Sequence, residues 1–271
     1  MAFATDQSEK SFSYDSYAAV LKSHVDDAGM VNYRGLQAER DKLDEFSAMI
    51  GRLERKVYEK WGERDKIAFW LNAYNAFTLQ AIIDHYPIKP SFLKLRVYPK
   101  NSIRQIPGVW DKIVFNVMGQ DLTLEHIEHE ILRKEFDEPR IHMAMVCAAM
   151  GCPPLLNEPY TGANLELQLD GRTRRFLDNP AKFRIDRDKG RLYLSPILKW
   201  FAEDFTSKYS PAKEIAKHGT KVSAVLNFIS GHLKEADRDY ILAGKFKVKY
   251  LKYDWSLNEQ TKGKKKANKA D

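Results

Sequence analysis

The sequence predicts an α+β fold, a helix-dominated single domain with a small antiparallel sheet. Three observations support this fold class: long stretches follow the helical period, the extended stretches are short, and no linker divides the chain. A chain of 271 residues is long enough for one large domain. We expect an N-terminal extension over 1–13, a globular domain over 14–258 and a disordered Lys-rich tail over 259–271.

Seven stretches carry apolar residues at helical spacing and are predicted to be helices. Their approximate ranges are 14–25, 40–53, 65–86, 124–136, 165–178, 198–205 and 221–233. The first ends at Asp26-Asp27-Ala28-Gly29 and precedes a short extended piece, Met30–Tyr33. The third is capped by Asp65 and stops before Pro87. Because this third helix is apolar nearly all round, we expect it at the centre of the core.

Short β-branched and aromatic stretches predict the strands. Within the otherwise irregular residues 90–120, a hairpin should start at 114–118, and Asp121 or Thr123 should begin the next helix. Residues 141–147 are apolar and lead to Gly-Cys-Pro-Pro, which predicts a buried strand that ends in a loop. Further strands are expected at 183–185 and 191–194, paired as a hairpin, and at 246–251.

The composition excludes several classes of protein. Apolar residues make up 44% and charged residues 30%, and no stretch reaches the roughly 18 apolar residues of a membrane-spanning helix. Five lysines in 261–271 account for much of the net charge of +7, so we expect a solvated tail without membrane contact. No basic helix with interleaved aromatic residues indicates nucleic-acid binding. The pattern leaves the oligomeric state open.

The first residues match the pattern of a signal-peptidase cleavage site. Ala2-Phe3-Ala4 fits the small-residue pattern before a signal-peptidase cut, although no charged region or apolar core precedes it. A chain that starts near such a cut would be periplasmic or secreted. The two cysteines fit either an oxidising or a reducing compartment.

The only two cysteines, Cys147 and Cys152, flank a four-residue loop and follow His142. In a regular strand His142 and Cys147 face opposite sides, so we do not expect them to meet without a bulge. As a nucleophile, Cys152 would be reachable and Cys147 better shielded, provided that a neighbour lowers the thiol pKa. A disulfide, two inert thiols or a metal site are alternatives, since such a loop can bring two Cα atoms within the roughly 4.4–6.8 Å that a disulfide needs.

A second group of polar residues lies on the helix predicted over 124–136. His126 and His129 are three residues apart and therefore share a face, whereas the zinc signature HExxH has histidines four apart. Glu128 and His129 should lie at the edge of the buried stripe, and Glu125 should face solvent. A solvated charged face explains the pattern, and pairing of His129 with a buried carboxylate is the alternative.

Asn72 and Asn75 lie one turn apart on the apolar helix predicted over 65–86. A buried amide without a partner costs about 1–3 kcal/mol, so both side chains should bind something specific. They could tether neighbouring backbone, orient a catalytic histidine or donate to an oxyanion.

Five blocks of sequence, taken together, form a recognisable pattern. In chain order they are Trp70-x-Asn72-x-Tyr74-Asn75; Ile127-Glu128-His129 with Leu132-Arg133; Arg140-Ile141-His142 leading to Val146-Cys147-x4-Cys152-Pro153; Leu194-Ser195-x-Ile197-x-Lys199-Trp200 with Asp204-Phe205; and Tyr250-x-x-Tyr253-Asp254-Trp255-x-Leu257-Asn258. Over about 14–258 the chain resembles the bacterial and plant family catalogued as domain of unknown function 547. Ala149-Met150-Gly151 departs from the serine-containing loop associated with that family.

The resemblance implies a polar site but no settled activity, and it agrees with export, because bacterial members often carry export signals. The residues expected to be catalytic are Cys147, Cys152, His142, His129 and Glu128; those expected to bind substrate are Asn72, Asn75 and Arg133. These polar residues fall on or beside apolar elements, where folding alone would favour hydrophobic side chains.

Two functions from different classes fit these residues. The first is a cysteine-dependent hydrolase or acyl transferase, by loose analogy with papain-like or transglutaminase-like folds, in which a thiol attacks an amide or thioester. The alternative is a non-enzymatic module that binds a small molecule or peptide and is stapled by a Cys147–Cys152 disulfide. No cofactor is expected, since the chain has no phosphate-binding glycine loop and no paired C-x-x-C motif.

Overall fold

The structure, a computed structural model, describes residues 12–213, 215 and 218–260. Its helices are α1 (Asp15–His24), α2 (Tyr33–Ala38), α3 (Asp41–Arg52), α4 (Arg55–Glu59), α5 (Glu63–Asp84), α6 (Leu124–His126), α7 (Leu165–Leu177), α8 (Ile197–Trp200), α9 (Thr206–Tyr209), α10 (Thr220–Ser230) and α11 (Glu235–Ala243). Its strands are β1 (Val114–Val117), β2 (Gln120–Thr123), β3 (Phe183–Asp186), β4 (Arg191–Leu194) and β5 (Lys247–Tyr250). The predicted helix-dominated α+β fold is confirmed. The Ala2-Phe3-Ala4 motif and the lysines of 261–271 lie outside the described residues.

Helix α5 is the centre of the core, as its composition predicts. All residues from Ile67 to Leu79 are buried, so the helix contacts protein on every side. It begins after Gly62 without a side-chain cap, so the prediction that Asp65 caps it is wrong. The helix ends at Asp84, three residues before Pro87.

Two small sheets complete the fold. Strands β1 and β2 form an antiparallel hairpin, and Met118 and Gly119 turn it with positive φ angles of 51° and 78°. Strands β3 and β4 are also antiparallel, but β5 pairs parallel to β4, with Leu192 opposite Val248. The second sheet is therefore mixed, because the chain passes through α8–α11 before β5 returns beside β4.

The buried strand predicted over 141–147 is wrong. Pro139–Met143 is a 3-10 helix instead, followed by irregular chain. Pro139 starts this turn, and the Glu138 side chain caps it by accepting from the Arg140 N–H. A run of apolar residues without polar alternation fits both a buried strand and a buried turn, so the sequence does not distinguish these two conformations. The argument that places His142 and Cys147 on opposite faces therefore does not apply.

The extended piece predicted over Met30–Tyr33 is also partly wrong, because Tyr33 already belongs to α2. The Asn32 side chain caps this helix by accepting from the Gly35 N–H at 3.0 Å. Val31 remains extended and bridges to Val25 and to Glu259. Gln260 also bonds this region, since its N–H donates to the Val31 carbonyl at 2.9 Å, so both residues assigned to the tail pack on the folded body.

The buried side chains form two clusters. The larger surrounds α5 and includes Tyr74 and Cys152, whereas the smaller joins α7–α11 to the second sheet and includes Ile197. Tyr253 packs against both clusters. A pocket opens at the boundary between the two clusters.

Candidate functional site

A pocket of about 310 Å³ opens at the boundary between the two clusters. Its aromatic side chains are Tyr74, Trp110, Trp200, Phe201, Tyr253 and Trp255, and its charged or titratable ones are Arg104, Glu125, Glu128, His129 and His142. Met145, Ile197 and both cysteines complete the lining. This combination of apolar walls and few polar groups is typical of small-molecule sites.

Cys147 and Cys152 form a disulfide, with Cα atoms 6.3 Å apart. The backbone N–H of Cys147 donates to Cys152 Sγ at 3.0 Å, and the Tyr253 hydroxyl lies 3.0 Å from Cys152 Sγ and 3.3 Å from Cys147 Sγ. Burial holds the pKa of Tyr253 well above its usual range. The disulfide therefore meets a neutral hydroxyl in the pocket wall.

The C-terminal segment 253–258 holds the disulfide loop in place through backbone hydrogen bonds. The N–H groups of Met150 and Gly151 donate to the carbonyls of Ser256 and Asp254, both at 2.7 Å. Within the loop, Ala148 adopts a positive φ of 58°, which is uncommon for a residue with a side chain. A Cβ atom on Gly151 would lie 2.6 Å from the Tyr253 ring, so this position requires glycine.

Lys182 closes the other side of the disulfide loop. Its side chain is 4% exposed, and its ammonium group donates to the Met150 carbonyl. Burial lowers the pKa of Lys182 to about 8, against the opposing effect of Asp254.

His142 is buried at the pocket and paired with a carboxylate. Its Nε2 atom lies 2.7 Å from Asp204 Oδ2, and its ring stacks on Phe201 with centroids 4.0 Å apart. Because an ionised carboxylate only accepts, Nε2 carries the proton. Nδ1 of His142 has no hydrogen-bond partner among the residues that the structure describes.

Asp204 is also bound by Arg133, which donates from Nε to Oδ2 at 2.6 Å and from an Nη atom to Oδ1 at 2.8 Å. Burial alone would raise the pKa of Asp204, but the hydrogen bonds and charges of Arg133 and His142 outweigh it and hold that pKa well below its usual range. Arg133 also donates to His129 Nδ1 at 2.6 Å. His129 is thus paired with an arginine and not directly with a carboxylate. The same arginine binds the carboxylate of Asp204.

Glu128 and His129 lie in a π-helical segment, Ile127–Leu132, that continues α6. The wider turn is closed by the Arg133 N–H, which donates to the Glu128 carbonyl. Such segments often occur at functional sites. Thr123 caps α6, as the sequence predicts, by accepting from the His126 N–H.

The carboxylate of Glu128 is fixed in the pocket by a tyrosine. Tyr74 on α5 donates its hydroxyl to Glu128 Oε2 at 2.9 Å. Burial, and then the Glu128 charge, hold the pKa of Tyr74 well above its usual range. Glu125, expected to face solvent, is exposed and also lines the pocket.

Arg104 adds a positive charge to the pocket lining. Its guanidinium lies 4.4 Å from the ring centroid of Trp255, 4.8 Å from that of Trp110 and 5.3 Å from that of Tyr98. Its Nε atom is buried without a hydrogen-bond partner, and within the described part of the chain no carboxylate forms a salt bridge with it. An arginine in this state can still bind an anion.

Asn72 and Asn75 do not line the pocket. Asn72 bonds the backbone of Tyr160 twice, at 2.8 and 2.9 Å. Asn75 donates to the Ala144 carbonyl at 3.1 Å and accepts from the Val146 N–H at 2.9 Å. Both amides tether backbone, and Asn75 fixes the chain between His142 and the disulfide.

A match with a known protein family covers the larger part of the pocket lining. Residues 58–177 match the model of a family described as "Protein of unknown function, DUF547". This match supports an assignment to the DUF547 family over these residues. This match confirms the resemblance seen in the sequence. No curated protein and no solved structure matches the chain.

The DUF547 match contains the disulfide, His142 and Glu128, but the pocket extends beyond it. Sequence reasoning missed six contributors after residue 177: Ile197, Trp200, Phe201, Asp204, Tyr253 and Trp255. All but Phe201 stand in the two C-terminal blocks of the family pattern, which was the available signal.

Across residues 12–213, 215 and 218–260, no three His, Cys, Asp or Glu side chains group as metal ligands. Within the same residues, no helix has the length and apolar character needed to cross a bilayer.

Proposed function

We propose that the protein is an exported binding module whose pocket holds a peptide or a small zwitterionic molecule. The observation that carries this proposal is the placement of opposite charges on an aromatic pocket. Arg104 lacks a carboxylate partner in the described chain and suits a ligand carboxylate, while Glu125 and Glu128 suit an ammonium group. The tryptophans supply flat surfaces for an apolar ligand body.

The disulfide supports the binding function and the periplasmic or secreted location. Disulfides persist mainly in oxidising compartments. This disulfide closes the loop that ends at Cys152, whose sulfur contacts the Tyr253 hydroxyl in the pocket wall. A stapled loop keeps the pocket preorganised, which lowers the entropy cost of binding.

The test of this proposal is a screen of dipeptides and free amino acids by thermal shift, followed by calorimetry. We expect binding that weakens about tenfold or more in Arg104→Gln, as for loss of a charged hydrogen bond. Arg238→Gln, an exposed arginine on α11, is the matched control and should bind as the unchanged protein does. Equal affinity of both variants, or no ligand in the screen, would contradict the proposal.

A second function, cysteine-dependent hydrolysis or acyl transfer, is supported by the pair formed by His142 and Asp204 beside the cysteines. It requires that an external dithiol first reduce the disulfide by exchange, ending as a disulfide itself. Cys152 would then be the better stabilised thiolate, because the Cys147 N–H and the Tyr253 hydroxyl both reach its sulfur.

Intact-mass counting of alkylated thiols on native protein, with and without reductant, separates the two functions. No label before reduction supports the stapled binding module. One cysteine labelled fast without reductant would instead favour the enzyme, and assays on amides and thioesters would follow.

A further inference from the structure

One surface segment exposes an unusual amount of apolar area. Phe92, Leu93, Leu95 and Val97 are 77%, 74%, 43% and 72% exposed, all within six residues. Single exposed apolar residues are ordinary, but a contiguous group marks an interaction surface. We name residues 90–100 the apolar loop.

The apolar loop is held rigidly from beneath. Buried Gln105 accepts from the Ser91 N–H at 3.0 Å and donates to the carbonyls of Tyr98 and Pro99 at 3.3 and 3.1 Å. Lys94 donates its ammonium to the Arg104 carbonyl at 2.9 Å. The fold therefore fixes the backbone of this loop while its apolar side chains face solvent.

The charge around the apolar loop has one sign. Residues 85–110 contain five lysines and arginines and no aspartate or glutamate. Of these, Lys89, Arg96 and Lys100 are exposed and form no salt bridge with any described residue. Two copies of such a surface would repel each other, whereas anionic lipid headgroups complement it.

We propose that the apolar loop docks the protein on an anionic membrane surface. Phe92, Leu93 and Val97 enter the interface between headgroups and acyl chains, and the basic side chains contact the phosphates. Tyr98 lies near the end of the loop, and its ring centroid is 5.9 Å from that of Trp255. The Arg104 guanidinium stacks over the Tyr98 ring, and both Trp255 and Arg104 line the pocket. Docking therefore brings one wall of the pocket close to the headgroups. This inference stands whether or not the pocket ligand is a peptide.

The test is co-sedimentation of the full chain with phosphatidylcholine vesicles, with and without phosphatidylglycerol. We expect binding to the vesicles that contain phosphatidylglycerol, and a loss of about tenfold or more in partitioning for Phe92→Ser/Leu93→Ser. Arg96→Gln/Lys100→Gln should lose about tenfold at low salt. Equal melting temperatures would show that the variants remain folded.

The matched controls lie on other surfaces. Leu167→Ser/Leu242→Ser removes two side chains that are 77% and 47% exposed, and Lys247→Gln/Lys249→Gln removes two exposed charges from β5. Both should bind vesicles as the unchanged protein does. The proposal would be overturned if the controls lost as much binding as the loop variants, or if the unchanged protein bound no vesicles. It would also be overturned if Phe92→Ser/Leu93→Ser bound vesicles as well as the unchanged protein, an outcome that would assign the binding to the lysines of 261–271. Self-association that this variant abolishes, without vesicle binding, would also overturn it and identify a second copy as the occupant.

Discussion

Nε2 of His142 lies 2.7 Å from Oδ2 of Asp204, although 62 residues separate them in the chain. The contact joins the turn before the disulfide to a turn of the second core cluster. Arg133, which directly follows the π-helical segment, binds the same carboxylate. One aspartate thus fixes three parts of the pocket wall, and the first prediction concerns it.

Asp204→Asn should lower the free energy of unfolding by about 1–3 kcal/mol at pH 7, because Arg133 and the buried His142 lose the charged carboxylate that they bind. The carboxylate has a folded-state pKa below its usual value, so its contribution is present above about pH 4 and is lost as the pH falls further. The unchanged protein should therefore lose stability between about pH 5 and 3 more steeply than the variant. Urea unfolding at several pH values measures both effects.

The control is Asp239→Asn, at an exposed position, which should change the free energy of unfolding by less than about 0.5 kcal/mol. Parallel pH curves for both variants would refute the role of Asp204.

Lys182→Met should alter the pH dependence in the alkaline range. Because burial lowers the pKa of Lys182 to about 8, the unfolded chain binds more protons than the folded one between that pH and about 10.4. Deprotonation of Lys182 therefore makes the free energy of unfolding of the unchanged protein rise with pH across that window. The Lys182→Met variant should not show this rise. The difference in unfolding free energy between the two proteins at pH 7 and pH 9.5 measures it. A constant difference would contradict a lowered lysine pKa.

Gly151→Ala should displace the Tyr253 ring, because the new Cβ would lie 2.6 Å from it. We expect a loss of about 1–3 kcal/mol in the free energy of unfolding, typical of overpacking. Gly171 on α7 is the matched control, since a Cβ there meets nothing within 4 Å. Gly171→Ala should stabilise the protein by about 0.5–1 kcal/mol through helix propensity. If Gly151→Ala also raised the free energy of unfolding, the Tyr253 ring would have moved away from the new Cβ atom without loss of stability, and the prediction would be wrong.

Replacing both cysteines by serine should cost about 2 kcal/mol, as expected for a short closed loop. The loss is modest because segment 253–258 also holds the loop by backbone hydrogen bonds. Chemical denaturation of the variant and of the oxidised protein gives the value. A variant that fails to fold would show that the backbone contacts do not suffice without the disulfide.

The sequence predicts the helices well where the apolar period is strong, as at 40–53, where the structure has Asp41–Arg52. It fails over 141–147, because a run of apolar residues has no period that distinguishes a buried turn from a buried strand. Asp204 could not be predicted as the partner of His142, since a contact between distant residues leaves no spacing pattern in the sequence. The two asparagines were identified as needing specific partners, and those partners are backbone groups.

Segment 253–258 supplies Tyr253 and Trp255 to the pocket and backbone partners to the disulfide loop, and its Asn258 accepts from the Val31 N–H. All buried members of the larger core cluster except Leu257 lie at or before Leu169, so that cluster is built almost entirely from the earlier part of the chain. The pocket, in contrast, lacks one wall until segment 253–258 is in place. A nascent chain that stops near Leu177 contains the whole family match and still has an open, unfinished site. The pocket is therefore complete only when segment 253–258 has packed against both core clusters.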